Sequence, residues 1–244
     1  MSEETIINGY AGTAIRVLSA SAQRAALTAC AQAYTGQADP AKPAIHFFWA
    51  TSGAVTDRIK AGERYDIVAA ANGALQALAG KSLVSPDIHL TGVSRIALGM
   101  RRGETPPDIS TPEKFAQALR EARAFSRGDP AGGGTAGNFL AAMLERIGVL
   151  EETRAKSILR VGGYNVMREV AAGNADFGLT QSTEIVAVDG VEISAWLPEA
   201  LQMDTVYALA AGPGEPSPQA RDFLTFVTGL QGRTIYTQSG FADA

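Results

Sequence analysis

Ser126-Arg127-Gly128-Asp129-Pro130-Ala131-Gly132-Gly133-Gly134-Thr135-Ala136-Gly137 runs straight into the apolar-periodic segment Asn138–Ile147, and its reading decides the fold. The residues predict a short strand, a Gly-rich turn and a helix that opens with free backbone N–H groups. Those orphan donors and the positive end of the helix dipole face the same way, so such a junction is a ready site for a small anion. Neither nucleotide fingerprint fits. The P-loop pattern lacks its Lys, and no G-x-G-x-x-G opens an N-terminal βαβ unit followed by the usual acidic residue. The competing reading is a flexible surface turn with surplus glycine.

Outward from this stretch, strands and helices alternate. Upstream, the strand Ala14–Leu18 leads through Ser19-Ala20-Ser21 into a helix that continues to about Tyr34. The strand Ala44–Trp49 ends at Ala50-Thr51-Ser52-Gly53 and opens the helix Ala54–Lys60; the strand Asp66–Ala70 precedes the helix Ala74–Ala79. The pattern restarts with the strand Arg95–Met100, a Pro-rich turn, the helix Glu113–Glu121 and the strand Ala124–Arg127. Downstream of the quoted stretch come Ser157–Val161, the turn Gly162–Asn165, the helix Val166–Ala172 and the strand Asp176–Thr180, which ends at Gln181-Ser182-Thr183. The strand Asp204–Ala210 and the helix Pro218–Gly229 close the chain and are expected to pack back on the first part. Alternation of this kind gives parallel sheets flanked by helices, with ligands at the carboxyl ends of the strands. The Ser- and Thr-rich turns fall at those ends.

Composition bounds the answer. The 244 residues suffice for two lobes with ample core, and 46% hydrophobic with 19% charged residues is ordinary globular material. A formal charge of −4, with no Lys/Arg cluster interleaved with aromatics, argues against nucleic acid as a partner. No apolar run is long enough to span a bilayer, so membrane insertion is not expected. Cys30 is the single cysteine and lies in an Ala-rich helical run, where it reads as core filler. With only His46 and His89, far apart, no metal site or other cofactor is expected. The start Met-Ser-Glu-Glu-Thr-Ile-Ile-Asn has no basic and apolar leader pattern. The expected compartment is periplasmic where a leader precedes this stretch and cytoplasmic otherwise.

Several blocks together resemble the molybdate-binding-protein-like family of the periplasmic type II solute-binding proteins. They are Ser19-Ala-Ser21, Ala50-Thr-Ser-Gly53, Ile59–Ile67, Gly128-Asp-Pro130 with its Gly-rich continuation, Val170–Gly178 and Ser239-Gly-Phe241, in order along nearly the whole chain. The resemblance implies a two-lobed α/β fold whose lobes close on an anion held by hydroxyls and backbone N–H groups, with the chain crossing the hinge twice. Lobe one is then expected over 10–92 plus 203–244 and lobe two over 93–202, with crossings near Thr91–Arg95 and Leu197–Asp204. Arg127 before Gly128-Asp129-Pro130, and Thr180–Glu184 in place of an aromatic-containing stretch, depart from the molybdate pattern. Ser94–Leu98, Pro107–Pro112, Asp129–Thr135 and Trp196–Glu199 look closer to the branch that includes aconitate isomerase.

The candidate ligand-binding residues are Ser19, Ala20, Ser21, Thr51, Ser52, Arg95, Arg127, Asp129, Gly133, Gly134, Thr135, Tyr164, Asn165, Gln181 and Ser182. Arg95 and Arg127 suit a planar carboxylate because a guanidinium offers a bidentate fork. The alternative for either is an internal ion pair, for Arg127 with Glu104 or Asp129. The hydroxyls of Ser19, Ser21, Thr51 and Ser52 are equally ordinary helix caps. Asp129 divides between capping its turn and closing the cleft, and His46 reads as a hydrogen-bonded core residue. Tyr236 and Phe241 read as core. The expected function is a monomeric solute-binding protein for a small anion, a carboxylate rather than molybdate, serving an ABC-type permease. The alternative is an aconitate-isomerase-like enzyme performing an allylic proton shift on a tricarboxylate. No catalytic residue is assigned; His46, Glu184 and Tyr164 are candidate bases.

Overall fold

In the computed structural model, residues 3–7, 11–36 and 42–242 are described. Residue 10, where lobe one is expected to begin, lies outside them. The chain divides into two compact units, Met1–Val93 with Thr205–Ala244, and Ser94–Asp204.

The first unit contains β1 (Glu3–Ile7), β2 (Ala11–Ala20), α1 (Arg24–Thr35), β3 (Pro43–Ala50), α2 (Ser52–Lys60), β4 (Ile67–Ala71), α3 (Asn72–Ala79) and the start of β5 (Ile88–Arg101). Its strand order runs β1-β3-β2-β4, and later β10 (Asp204–Ala211) and β5. The central strands β3, β2 and β4 are parallel. The flanking pairs β1/β3 and β4/β10 are antiparallel. Alternation on β2 explains why the sheet is covered on both sides: Ile15 and Val17 join one buried cluster and Leu18 the other. On α1 the residues Leu27, Cys30, Ala31 and Tyr34, at i, i+3, i+4 and i+7, all face the first cluster. Burying Leu27 there stabilises the fold by about 1.5–3 kcal/mol. The last helices, α8 (Pro218–Thr228) and α9 (Leu230–Gln238), complete that layer through Phe223, Val227 and Tyr236, and Phe241 is buried beside them.

A buried amide fastens this unit. Gln23, fully shielded from solvent, donates from Nε2 to the Ala208 carbonyl at 3.3 Å. Its Oε1 accepts from the Tyr236 hydroxyl at 2.8 Å and from Thr91 Oγ1 at 3.1 Å. One side chain therefore joins the start of α1 to β10, β5 and α9.

The second unit holds the rest of β5, α4 (Pro112–Glu121), β6 (Phe125–Gly128), α5 (Thr135–Arg146), β7 (Ser157–Arg160), α6 (Gly163–Ala171), β8 (Phe177–Gln181), α7 (Ser182–Ile185) and β9 (Val191–Trp196). The order is β5-β8-β6-β7, with β9 also on β5. Strands β8, β6 and β7 are parallel, and β5 runs antiparallel to β8 and β9. Phe125 and Phe177 stack on one face with Leu140, Met143 and Leu144 of α5. Val166, Met167 and Val170 of α6 cover the other face.

Some elements differ from the sequence expectation. Helix α5 starts at Thr135 rather than Asn138, and α6 at Gly163 rather than Val166. Both starts contain glycine, which weakens helical propensity but here allows close packing. Strand β5 begins at Ile88, well before Arg95, and β1, β9 and α9 were not expected at all.

Two outcomes follow. Replacing Gln23 by Leu strands a hydroxyl, a second hydroxyl and a carbonyl in the interior, and should lower stability by about 2–4 kcal/mol in a denaturant melt. Burial pushes the Cys30 thiol up to about 12. It should not react with a disulfide reagent in the native protein at mildly alkaline pH, and should react fully once the chain is unfolded.

Candidate functional site

In the first unit, five candidate residues meet at the carboxyl ends of β2 and β3, which are in register at Ala20 and Ala50. Ser19 is buried and its Oγ donates to the Ala20 carbonyl at 3.1 Å. Ala20 precedes a single 3-10 turn, Ser21–Gln23, that leads into α1. Ser21 donates to the Ala50 carbonyl at 3.1 Å. Thr51 caps α2, accepting from Ala54 N at 3.2 Å. The Ser52 hydroxyl accepts from Ala71 N at 3.4 Å, reaching the end of β4. Capping and stitching of strand ends are thus done by the same hydroxyls that were expected to meet a ligand.

In the second unit the candidates gather at the carboxyl ends of β6, β7 and β8. Asp129 caps the turn after β6, accepting from Ala131 N at 2.9 Å, and Gly133 closes that turn by donating to the Pro130 carbonyl at 3.2 Å. Gly134 is the residue before α5, and no side chain caps this helix. The first turn of α5 lies directly against β6: a Cβ on Gly128 would stand 2.8 Å from Gly137 Cα. Glycine at both positions lets the strand end and the helix N–H groups approach this closely. Tyr164 and Asn165 sit in the first turn of α6, and Asn165 donates back to the Val161 carbonyl at 3.0 Å. Gln181 and Ser182 mark the end of β8 and the start of α7, both buried. Ser182 Oγ lies 3.0 Å from that of Ser94.

Arg127 is the most unusual of them. It is only 5% exposed, yet among the described residues no carboxylate comes within ion-pair distance. Nε donates to Ser157 Oγ at 2.9 Å and Nη1 reaches the Gly128 carbonyl at 3.5 Å. Burial lowers its pKa from the ordinary value, an effect that the charge of Asp129 opposes. Glu104 is not its partner, because Arg101 Nε already donates to that carboxylate at 2.9 Å. A shielded cation without a carboxylate partner is a costly arrangement that an added anion would relieve.

Arg95 is placed differently. Its Nε donates to Asp204 at 2.8 Å and its Nη2 to Glu199 at 2.7 Å, and these partners, Glu199 first, raise its pKa. The guanidinium is held by its own chain. His46 lies on β3 with its Nε2 3.1 Å from Glu4, and His89 stands 3.4 Å from Asp87. Among the described residues no three His, Cys, Asp or Glu side chains gather as metal ligands would.

Glu184 is a candidate base and ends the Thr180–Glu184 stretch that departs from the molybdate pattern. Its carboxylate is buried at the start of α6, where Oε1 accepts from Gly163 N at 3.0 Å and Oε2 from Thr180 Oγ1 at 2.7 Å. A Cβ on residue 163 would stand 1.9 Å from Thr180 Oγ1 and 2.0 Å from Glu184 Oε2. Five consecutive polar residues, Thr180 to Glu184, are all buried. That run, straight after an apolar strand, was the available signal for this cluster. Ser94 and Gln23 carried no such signal.

A family model described as bacterial extracellular solute-binding protein matches residues 15–242. An aconitate isomerase from Pseudomonas sp is 28% identical over 192 residues, 78% of this chain and 72% of that protein. The molybdate-binding protein ModA of Mycobacterium tuberculosis (strain ATCC 25618 / H37Rv) is 37% identical over 79 residues, 32% of this chain and 30% of its own. The periplasmic molybdate-binding protein of Azotobacter vinelandii superposes with a TM-score of 0.76 at 16% identity, covering 94% of this chain and 99% of that one. The sulfate-binding protein SubI of Mycobacterium tuberculosis H37Rv gives 0.71 at 15% identity, over 94% and 86% of the two chains. The two-lobed α/β architecture is that of the periplasmic binding proteins.

Gly163→Ala should displace the Glu184 carboxylate from the start of α6. A drop in melting temperature of several degrees is expected; an unchanged melt would contradict this packing.

Proposed function

Because this chain belongs to the bacterial extracellular solute-binding proteins, matched over residues 15–242, we propose that it binds a small anion, a carboxylate rather than molybdate, and delivers it to an ABC-type permease. The donors on offer are, in the first unit, the Ser19, Ser21, Thr51 and Ser52 hydroxyls with their neighbouring N–H groups and, in the second, Arg127 with the first turn of α5. The periplasm is the compartment proposed for this role.

One observation carries the anion reading. Arg127 is 95% shielded, reaches one neutral hydroxyl at 2.9 Å, and lies on the strand end that packs through Gly128 against the uncapped first turn of α5. A planar guanidinium can pair in two parallel hydrogen bonds with a carboxylate, and the departures from the molybdate pattern at Arg127 and Thr180–Glu184 are what favour a carboxylate over molybdate. Arg95 is left out of this proposal because Glu199 and Asp204 already engage it. Among the described residues no helix is long and apolar enough to cross a membrane.

A second reading is supported by the aconitate isomerase that matches 78% of the chain. An allylic proton shift on a tricarboxylate needs a base near the abstracted proton and donors for the enolate-like charge that develops. Arg127 and the α5 amides supply such donors. Of the candidate bases, Glu184 has both oxygens engaged and His46 lies against Glu4. Turnover of trans-aconitate to cis-aconitate by the purified protein would favour this reading over simple carriage.

The test is Arg127→Met, compared with wild type by calorimetric titration with citrate, trans-aconitate and molybdate and by thermal melts. Carboxylate binding should weaken by about 2–4 kcal/mol. Stability should hold or rise, since an isolated buried charge is replaced by an apolar chain of similar length. Tight molybdate binding that survives the substitution would overturn the carboxylate assignment, and a fall in melting temperature with affinity intact would make Arg127 a structural residue.

A further inference from the structure

The starts of the two helices beside β6 differ in charge. At α5 no side chain caps the helix, whose first turn packs on the end of β6, the strand that carries the buried Arg127 cation. At α6 the place of an anion is taken by the chain itself. Glu184, 6% exposed, holds Gly163 N at 3.0 Å through one oxygen and the Thr180 hydroxyl at 2.7 Å through the other. Gly163 lacks the Cβ that would exclude the carboxylate. The sequence expectation put a ligand at this helix start, through Tyr164 and Asn165.

We propose that Glu184 is a tethered counter-anion that sets how much negative charge this unit accepts, and so selects among anions by their charge. The proposal rests on the anion-binding reading above. The positive field of the unit comes from Arg127 and from two helix N-termini. A fixed carboxylate at one of them subtracts a full unit of charge, and burial shields that charge from salt. Its repulsion of a bound anion is proportional to the charge of that anion. Highly charged ligands are therefore held more weakly than Arg127 and α5 alone would hold them. The same carboxylate leaves the α6 amide satisfied when no ligand is present, so the start of this helix does not depend on the ligand for its hydrogen bond.

Glu184→Gln separates charge from structure, because the amide keeps an oxygen for Gly163 N–H and turns its NH2 toward the Thr180 hydroxyl, which can accept. The variant, Glu184→Asp and wild type are titrated with acetate, succinate and citrate at neutral pH and constant ionic strength, and with molybdate. For Glu184→Gln the affinity should rise by about threefold per ligand charge, so roughly tenfold for succinate and thirtyfold for citrate. Glu184→Asp, which keeps the charge, should show no gain that grows with ligand charge. A uniform change across the ligands, no change, or a Gln variant that does not fold assigns Glu184 a purely structural role and overturns the proposal. If wild type binds molybdate alone, the carboxylate reading fails while this inference stands or falls on whether Glu184→Gln tightens molybdate as predicted for a divalent ion. If wild type binds none of the four, the anion reading fails and takes this inference with it.

Discussion

A helix that starts within a residue or two of a buried strand end must find acceptors for its first N–H groups away from bulk water, and this constraint organises both units. At α2 the acceptor is Thr51. At α6 it is Glu184, reaching across from the end of β8. Ser21 and Ser52 do the related work of tying adjacent strand ends together. At α5 no side chain serves, and a buried guanidinium adds to the positive potential. One junction is therefore left with an electrostatic demand that its own residues do not meet, and the functional reading follows from it.

The layers explain why that demand persists. Strands covered by helices on both faces hold the polar groups at their ends in a water-poor setting, where an unpaired charge is expensive and a satisfied one is rigid. Ser94, Ser126, Thr180, Gln181, Ser182, Thr183 and Glu184 are all buried in the second unit. Hydrogen-bonded polar clusters of this kind fix side-chain positions more sharply than an apolar core does. Such a scaffold keeps donors pre-oriented, which limits the ordering cost of taking up a small ligand.

Much of this was legible in the sequence. The β2, β3, β4 and β6 strands and the helices behind them were readable because apolar periodicity and Ser/Thr caps agreed with each other. The Gly-rich stretch located the α5 junction, although glycine before Asn138 masked the true start of the helix. The edge elements were harder. β1 carries Glu3, Glu4 and Thr5 and is held by pairing to β3 rather than by its own pattern. β9 was hidden because its residues are only partly buried. Among site residues, hydroxyls at strand ends announced themselves, whereas Gln23 and Ser94 become important only through partners far along the chain. Arg95 illustrates the converse: in sequence it is equivalent to Arg127, and only the fold brings Glu199 and Asp204 to it.

The central claim is that Arg127 and the open end of α5 hold the ligand. Its most direct measurement is the nuclear magnetic resonance spectrum of the 15N-labelled protein during addition of citrate or trans-aconitate, following the Arg127 Nε–H signal and the backbone amides of Thr135, Ala136 and Gly137. The account predicts that these four signals shift together and saturate at one ligand concentration, with the Arg127 signal moving because its guanidinium gains a charged partner. Saturating shifts elsewhere, with these four unmoved, would contradict it.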